Sequence, residues 1–195
     1  MKKHLGLFIM LELTMFILNI LFSQVQEFFK GEQIMYTLVS LASTLVGIWI
    51  GLGLMYILLA LYANREAKFA DLFSRAALIL PYIGGALVYG LIVLGGLILF
   101  IVPGIIWAIQ FGFYKYLIVD KKLGPIEAIK ASGRMTKGHR WNIFLICLLV
   151  GLINLAGLLA LGVGLLFTIP VGLMAMVYVY RTLEYKPEAL ATPLI

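Results

Sequence analysis

The stretch that decides the fold is residues 124–141, GPIEAIKASGRMTKGHRW, the longest polar interruption in a chain otherwise dominated by apolar runs. It contains the densest group of positive charges, Lys130, Arg134, Lys137 and Arg140. On both sides the chain returns to apolar runs of about 20 residues, the length that a helix needs to cross a bilayer. The stretch therefore divides the chain into two membrane-embedded halves and indicates which helix ends share one face of the membrane.

The composition favours a membrane protein over a soluble domain. Of 195 residues, 63% are hydrophobic and 12% are charged, whereas a soluble domain carries about 25% charged residues. The net charge of +6 lies in loops between hydrophobic runs, where it is typical of topology signals, so we expect no nucleic-acid partner. The sequence therefore predicts an all-α fold, a polytopic membrane helical bundle.

Six apolar runs define this bundle. We predict transmembrane helices at about 5–23, 34–63, 77–95, 97–119, 141–161 and 165–184. The stretches 64–76 and 124–140 have apolar residues on one helical face and predict two interfacial helices. Asn64 is expected to cap the first of them. The Gly95-Gly96 pair is expected to turn the chain between the third and fourth spans.

The distribution of positive charge predicts the orientation. Six spans place both termini and both amphipathic stretches on one side of the membrane. Of the 15 Lys and Arg residues, Lys30 alone falls on the opposite side. Because Lys and Arg collect in cytoplasmic loops, we predict an inner-membrane protein with both termini in the cytoplasm.

An internal repeat relates two helical hairpins. An even number of spans separates the copies, so they share one orientation, as in parallel transporter repeats. Pro103 and Pro170 occupy the same place in the two copies, and each is predicted to bend its helix. The matches, at an offset of 67 residues, are Gly84 with Gly151, Gly90 with Gly157, Leu94-Gly95 with Leu161-Gly162, Phe100 with Phe167, Pro103 with Pro170, and Ala108 with Ala175.

The repeat predicts three parts of the chain. An N-terminal helix pair precedes a domain of repeated hairpins, and a short tail follows. The predicted ranges are 1–63 for the helix pair, 64–185 for the repeat domain, with copies at about 64–119 and 124–185, and 186–195 for the tail.

Polar residues form a seam along the first helix. Glu12, Asn19, Ser23 and Gln26 are separated by seven, four and three residues, which places them on one helical face. Charged residues inside a membrane are costly and usually face protein or water. Glu12 and Asn19 are therefore candidates for an ion or proton site; the alternative is a protonated or hydrogen-bonded carboxyl group that joins helices.

Several motifs resemble one family of uncharacterised bacterial membrane proteins. These motifs are IVPGI at 101–105, FYKYLIVD at 113–120, GPIEA at 124–128 and MTKGHRW at 135–141. They resemble the YciC-like group and the membrane domain attached to some glycerophosphodiester phosphodiesterases, over about 64–185. The resemblance implies a six-helix membrane domain without a settled activity. Because 195 residues leave no room for the phosphodiesterase catalytic barrel, we do not expect hydrolysis.

Three functions stay open on the sequence. No metalloprotease HExxH or serine-nucleophile GxSxG motif occurs, so we predict a protein that is not an enzyme and has no metal or cofactor. The first function is a membrane scaffold or accessory subunit that meets the lipid bilayer, other membrane proteins or itself. The second is a small transporter or channel that uses the Glu12 seam. The third is binding of an anionic lipid headgroup by Lys130, Arg134, Lys137 and Arg140, with ordinary topogenic charge as the alternative.

Overall fold

The computed structural model describes the backbone of residues 5–159 and 164–185, and the side chains in those ranges except at 5–9, 12 and 166. The predicted tail at 186–195 lies outside the described residues. Within the described part the fold is helical and has no strand. The helices are α1 (Leu5–Phe28), α2 (Gln33–Tyr62), α3 (Ile79–Leu99), α4 (Ile101–Phe111), α5 (Tyr114–Lys121), α6 (Pro125–Met135), α7 (Arg140–Leu159) and α8 (Leu165–Glu184), with 3₁₀ turns at Phe69–Phe73 and Ala76–Leu78.

Several helices are long and apolar enough to cross a membrane. In the described part there are four such segments, Gln33–Tyr62, Phe69–Leu99, Ile101–Lys121 and Arg140–Leu159, and a shorter apolar helix at Leu13–Phe28. Their outer faces expose large apolar side chains along much of their length. The all-helical fold class is therefore confirmed, while the count of six spans and the hairpin repeat stay predictions.

The turn between α3 and α4 lies at Phe100, so the turn predicted at Gly95-Gly96 is wrong. α3 continues through both glycines, and Phe100 alone is extended, with φ −162° and ψ 150°, before α4 begins. Gly96 has another role, because a Cβ atom there would lie 2.9 Å from the Cα atom of Gly104. The two glycines therefore let α3 and α4 cross in close contact.

The two prolines predicted to bend helices lie in different helical environments. Pro103 is the third residue of α4, where a backbone N–H has no partner within the helix, so a proline removes no hydrogen bond there. Pro170 lies inside α8, where it does remove one. A bend at either residue stays a prediction.

The stretch 64–76 is not the predicted α-helix with Asn64 as its N-cap. Asn64 has φ +53° and instead ends α2. Its N–H donates to the Leu61 carbonyl at 3.1 Å, and the next N–H, of Arg65, donates to Ala60 at 2.9 Å. This pair of bonds is the Schellman motif, and Asn is one of the few residues that accept the left-handed conformation it needs.

The chain then folds back along α2 as two 3₁₀ turns. Leu72 is fully buried, and its backbone lies so close to Gly53 that no side chain could fit on that glycine. The Trp49 indole N–H donates to the Phe73 carbonyl at 3.0 Å, and the two rings meet edge to face. The apolar face predicted for this stretch therefore packs on a helix of the bundle.

The helix predicted at 97–119 is broken in its middle. α4 ends at Phe111 and α5 starts at Tyr114, so the residues between them leave the helical hydrogen-bond ladder. The hydroxyl of Ser132 repairs the break by accepting from the Phe113 N–H at 3.1 Å and donating to the Gln110 carbonyl at 2.9 Å. Side chains of α6 thus replace backbone bonds that a continuous helix would make.

The core lies at one end of the bundle, where α2, α5 and α8 end and α3 and α7 begin; we refer to this as the charged end. α6 packs there, and its first helical residue is Pro125, whose fixed φ and missing N–H suit the start of a helix. The buried face of α6 comprises Ala128, Ile129, Ala131, Ser132 and Met135. α6 is therefore partly inside the fold, and only its opposite face is available to lipid or water.

Candidate functional site

A cavity of about 210 Å³ at the charged end lies between α2, the 3₁₀ turns, α5 and α8. Four of its side chains are cationic and one is anionic, which gives 4 − 1 = +3 formal charges. We call it the basic cavity. The residues that line it are Tyr56, Leu59, Ala60, Arg65, Arg75, Val119, Asp120, Lys122 and Arg181.

Helix ends and turns bring these cations together. Arg65 follows the left-handed Asn64 that ends α2, and Lys122 itself has φ +54° at the end of α5. Arg75 precedes the second 3₁₀ turn, and Arg181 lies in the last turn of α8. Each cation therefore comes from a separate segment, and the fold gathers them at one place.

An ion network forms one wall of the basic cavity. The guanidinium of Arg181 binds the Asp120 carboxylate through two hydrogen bonds, of 2.8 and 2.9 Å, and the Tyr180 hydroxyl donates to the same carboxylate at 2.9 Å. Arg181 also contacts Glu184 at 2.7 Å, and Lys121 contacts Glu184 at 2.8 Å. Two cations and two carboxylates balance in this network, so its acids do not neutralise the other cations of the cavity.

The remaining cations of the cavity have no acidic partner. Among the described residues, no salt bridge involves Arg65, Arg75 or Lys122. The guanidinium of Arg75 lies over the ring of Tyr56, 3.6 Å from its centroid. The Nε atoms of Arg75 and Arg181 are buried and have no hydrogen-bond partner in the described part. Because a buried unpaired donor is costly, these atoms are suited to an acceptor that enters the cavity.

Comparison with known proteins places the chain in a family. A family model described as "Protein of unknown function (DUF975)" matches residues 3–186. The chain is a DUF975 protein. This confirms membership of an uncharacterised family, but it does not support the YciC-like name or the link to phosphodiesterases.

The DUF975 protein is also similar to uncharacterised mycobacterial proteins. These are Mb2590 of Mycobacterium bovis and MT2637 and Rv2560 of Mycobacterium tuberculosis, each 31% identical over 121 residues. The match covers 62% of this chain but 37% of each relative, so the chain spans well under half their length. No solved structure matches. The relatives therefore carry no activity over to this protein.

The cations predicted to contact lipid headgroups lie outside the basic cavity of the DUF975 protein. Lys130 and Arg134 are exposed on α6, Lys137 is exposed just after it, and Arg140 is partly buried at the start of α7. Lys130 and Arg134 are four residues apart, which places them on the same outward face. Headgroup binding by these four residues stays a prediction.

The seam predicted on α1 faces α2 over part of its length. Asn19, Ser23 and Gln26 line a second cavity, of about 180 Å³, together with Ser43 and other residues of α2. The Gln26 amide donates to the Ser43 hydroxyl at 3.2 Å. The side chain of Glu12 lies outside the described residues, so a site that joins it to Asn19 stays a prediction.

Sequence reasoning missed the basic cavity because nothing local marks it. Arg65, Arg75, Lys122 and Arg181 each read as an ordinary cation at the end of a span. One signal was available: Asn directly after an apolar helix is typical of a left-handed helix end. That signal would have placed Arg65 at the end of α2, but it would not have shown the partners that meet it.

Proposed function

We propose that this DUF975 protein is a non-enzymatic, multi-pass protein of the inner membrane that binds the phosphate of an anionic lipid headgroup in the basic cavity. The observation that carries this proposal is the cationic excess: Arg65, Arg75 and Lys122 share the cavity without a carboxylate partner in the described chain. Guanidinium groups suit phosphate because their fixed N–H donors match its oxygen acceptors. The proposal keeps the predicted headgroup function and moves its site away from the outer face of α6.

The surroundings of the cavity favour a lipid as the source of the phosphate. Tyr62, Tyr178 and Tyr185 are exposed at the ends of α2 and α8 beside it, and the rings of Tyr62 and Tyr178 meet edge to face with centroids 6.2 Å apart. Tyrosine side chains concentrate at the level of lipid headgroups. With its apolar helices in the bilayer, the protein would hold the basic cavity at that level, where anionic lipids raise the local concentration of phosphate.

Native mass spectrometry tests lipid binding directly. The purified protein is mixed with phosphatidylglycerol and phosphatidylcholine, and the lipids that stay bound are counted. We expect wild type to retain phosphatidylglycerol and Arg75→Gln to lose most of this preference, because the variant removes the least exposed uncompensated cation. Inorganic phosphate is added as a competitor. If it displaces phosphatidylglycerol when the two are at equal concentration, a soluble anion would be favoured over a lipid as the ligand.

Lys130→Gln is the matched control for this experiment. It removes the same charge from the exposed face of α6, so it reports attraction by net charge alone. Retention of phosphatidylglycerol should survive in this variant. If Arg75→Gln and Lys130→Gln lose phosphatidylglycerol equally, binding in the basic cavity is refuted. The lipid would then be attracted by the net charge of the protein surface.

The proposed orientation places the charged end in the cytoplasm. Single cysteines introduced at Lys137 and Glu32, in a background with Cys147→Ser, report the two ends of the bundle, since both residues are exposed. A membrane-impermeant maleimide added to spheroplasts should label the cysteine at 32 and not the one at 137. The reverse pattern, or labelling of both, would contradict cytoplasmic termini.

A second candidate function rests on the cavity between α1 and α2. Polar side chains line it within an otherwise apolar pair of helices, and such groups mark pathways in transporters. We propose proton- or cation-coupled transport as the alternative function. Glu12→Gln should abolish uptake driven by a proton gradient if Glu12 carries the coupling, and uptake that is unaffected would leave the seam a packing feature.

A further inference from the structure

A third cavity, of about 230 Å³, adjoins the first turn of α5 and lies against α3, α4 and α7. Its wall is mainly aromatic and apolar, with tyrosines from α3 and α5. Tyr89 and Tyr114 stack there, with ring centroids 5.2 Å apart. The two other residues that matter chemically are Lys115 and Cys147. We call this space the Lys115 cavity.

Among the residues that the structure describes, Lys115 is the only charged group that lines this cavity. It is the second residue of α5, directly after the break that Ser132 repairs. It is partly buried, and among the described residues its ammonium group has neither a salt bridge nor a hydrogen bond. The Nζ atom of Lys115 lies 5.6 Å from the centroid of the Tyr116 ring, and the Cys147 thiol interacts with it electrostatically.

A cation in this position needs a counter-charge. Charged side chains within membrane helices are costly and are usually paired with one another or with a substrate. An unpaired ammonium against aromatic rings gains only a weak attraction from them. The carboxylates of α5 and α8 are engaged elsewhere, because Asp120 binds Arg181 and Glu184 binds Arg181 and Lys121. The exposed Glu66 and Glu127 form no salt bridge with Lys115. The partner of Lys115 is therefore expected from outside this network.

We propose that the Lys115 cavity binds the carboxylate of a single-chain amphiphile, of the long-chain fatty-acid class. One ammonium matches one carboxylate, whereas the basic cavity presents several cations suited to phosphate. The volume of about 230 Å³ is close to that of eight water molecules in the liquid, at about 30 Å³ each, and it accommodates a carboxyl group and a few methylene groups. Cys147 lines the cavity and is also exposed on α7, so an acyl chain can leave the cavity along the lipid-facing side of that helix.

This site is independent of the proposed headgroup site. The two cavities share no lining residue, because the Lys115 cavity adjoins the first turn of α5 and the basic cavity adjoins its C-terminal end. Loss of phosphatidylglycerol binding in Arg75→Gln should therefore leave binding at Lys115 intact. The two proposals can fail separately.

Cys147 provides the readout, because it is the only cysteine in the chain and lines the cavity. The rate at which N-ethylmaleimide modifies it is measured in detergent, with increasing oleate and with methyl oleate in parallel. We expect oleate to slow labelling at least several-fold and methyl oleate, which has the same chain without the charge, to have little effect. Oleoyl lysophosphatidate in a third series tests whether a phosphate monoester replaces the carboxylate.

Variants at Lys115 test whether the ammonium group is responsible for the protection of Cys147 by oleate. Lys115→Met should lose protection by oleate, Lys115→Arg should keep most of it, and Lys130→Met, which removes an exposed cation, should behave as wild type. Unchanged thermal unfolding shows that a variant is folded, and protection is expressed relative to the labelling rate of the same variant without ligand, because Lys115 itself influences the reactivity of the Cys147 thiol. Lys115→Arg carries the test if Lys115→Met does not fold. Equal protection by oleate and methyl oleate, protection that persists in Lys115→Met, or stronger protection by lysophosphatidate would overturn the proposal.

Discussion

The repair of the broken helix at Gly112–Phe113 gives the sharpest prediction about stability. Ser132 and Thr136 are fully buried, and their hydroxyl groups lie 2.9 and 3.0 Å from the same oxygen, the Gln110 carbonyl. The Ser132 hydroxyl also accepts from the Phe113 N–H. The perturbation is removal of these hydroxyl groups one at a time and together, as Ser132→Ala, Thr136→Val and the double variant.

The expected losses in the free energy of unfolding depend on which buried polar groups are left without a hydrogen-bond partner. Ser132→Ala leaves the buried Phe113 N–H unpaired, which costs about 1–3 kcal/mol. Thr136→Val keeps the side-chain shape, and the Gln110 carbonyl still accepts from Ser132, so we expect a loss of about 1 kcal/mol. In the double variant that carbonyl loses both donors, which adds about 1–3 kcal/mol beyond the sum of the single losses.

Unfolding in mixed micelles, followed by tryptophan fluorescence as sodium dodecyl sulfate is added, measures these free energies. Ser74→Ala and Thr182→Val serve as controls, because both hydroxyl groups are exposed and bond only to nearby backbone. The controls should change the free energy of unfolding by less than about 0.5 kcal/mol. Two results would refute the claim that these hydroxyl groups satisfy the backbone at the break. One is a double variant whose loss equals the sum of the two single losses. The other is a loss in Ser132→Ala that is no larger than the loss in Ser74→Ala.

Three further predictions concern packing and charge. Gly53→Ala should destabilise the fold by more than about 2 kcal/mol because its Cβ would collide with the backbone of Leu72, whereas Gly47→Ala, which meets open space, should be nearly neutral in the same unfolding assay. Trp49→Phe should keep the ring contact but lose the indole hydrogen bond to Phe73, at a cost of about 0.5–1.5 kcal/mol; no loss would mean that water replaces this bond. Arg181→Gln should cost about 3–5 kcal/mol by leaving the largely buried Asp120 carboxylate without a cation, while Glu184 keeps Lys121; a loss below about 1 kcal/mol would show that solvent already screens the network.

Much of the helical framework could be predicted from the sequence because it depends on local pattern. The last helix was predicted at 165–184 and is found at Leu165–Glu184, and the start of α6 followed from the fixed φ of Pro125. The second helix differs by one residue at each end. These features need only apolar runs and turn residues, which the sequence displays directly.

The features that could not be predicted depend on contacts between distant segments. The stretch 64–76 has helical periodicity, yet its backbone must approach α2 at Gly53, and this contact selects short 3₁₀ turns. The break before Tyr114 is stable only because hydroxyl groups from α6 reach it. No single-sequence pattern links residue 113 to residue 132, so a continuous helix was the natural expectation.

The candidate site shows the same limit. The distribution of Lys and Arg predicted that many cations lie near one membrane face, but it gave most weight to the dense group at 130–140. The structure leaves Lys130 and Arg134 outside and gathers Arg65, Arg75 and Lys122 around one cavity. Headgroup binding by the dense group stays a prediction, and the sequence alone could not show which distant cations converge on one cavity.

Because the broken helix depends on hydroxyl groups at 132 and 136, it can reach its final structure only after those later residues have been synthesised. Residues 101–121 leave the ribosome before Ser132 and Thr136, so on reaching the translocon this segment still lacks the two hydroxyl groups that complete it. Until α6 arrives, the carbonyl of Gln110 and the amide of Phe113 must bond to water or close a continuous helix, which is not their final arrangement. The first hairpin therefore cannot mature as a separate unit, and a nascent chain arrested before residue 132 should remain open to quality-control proteases.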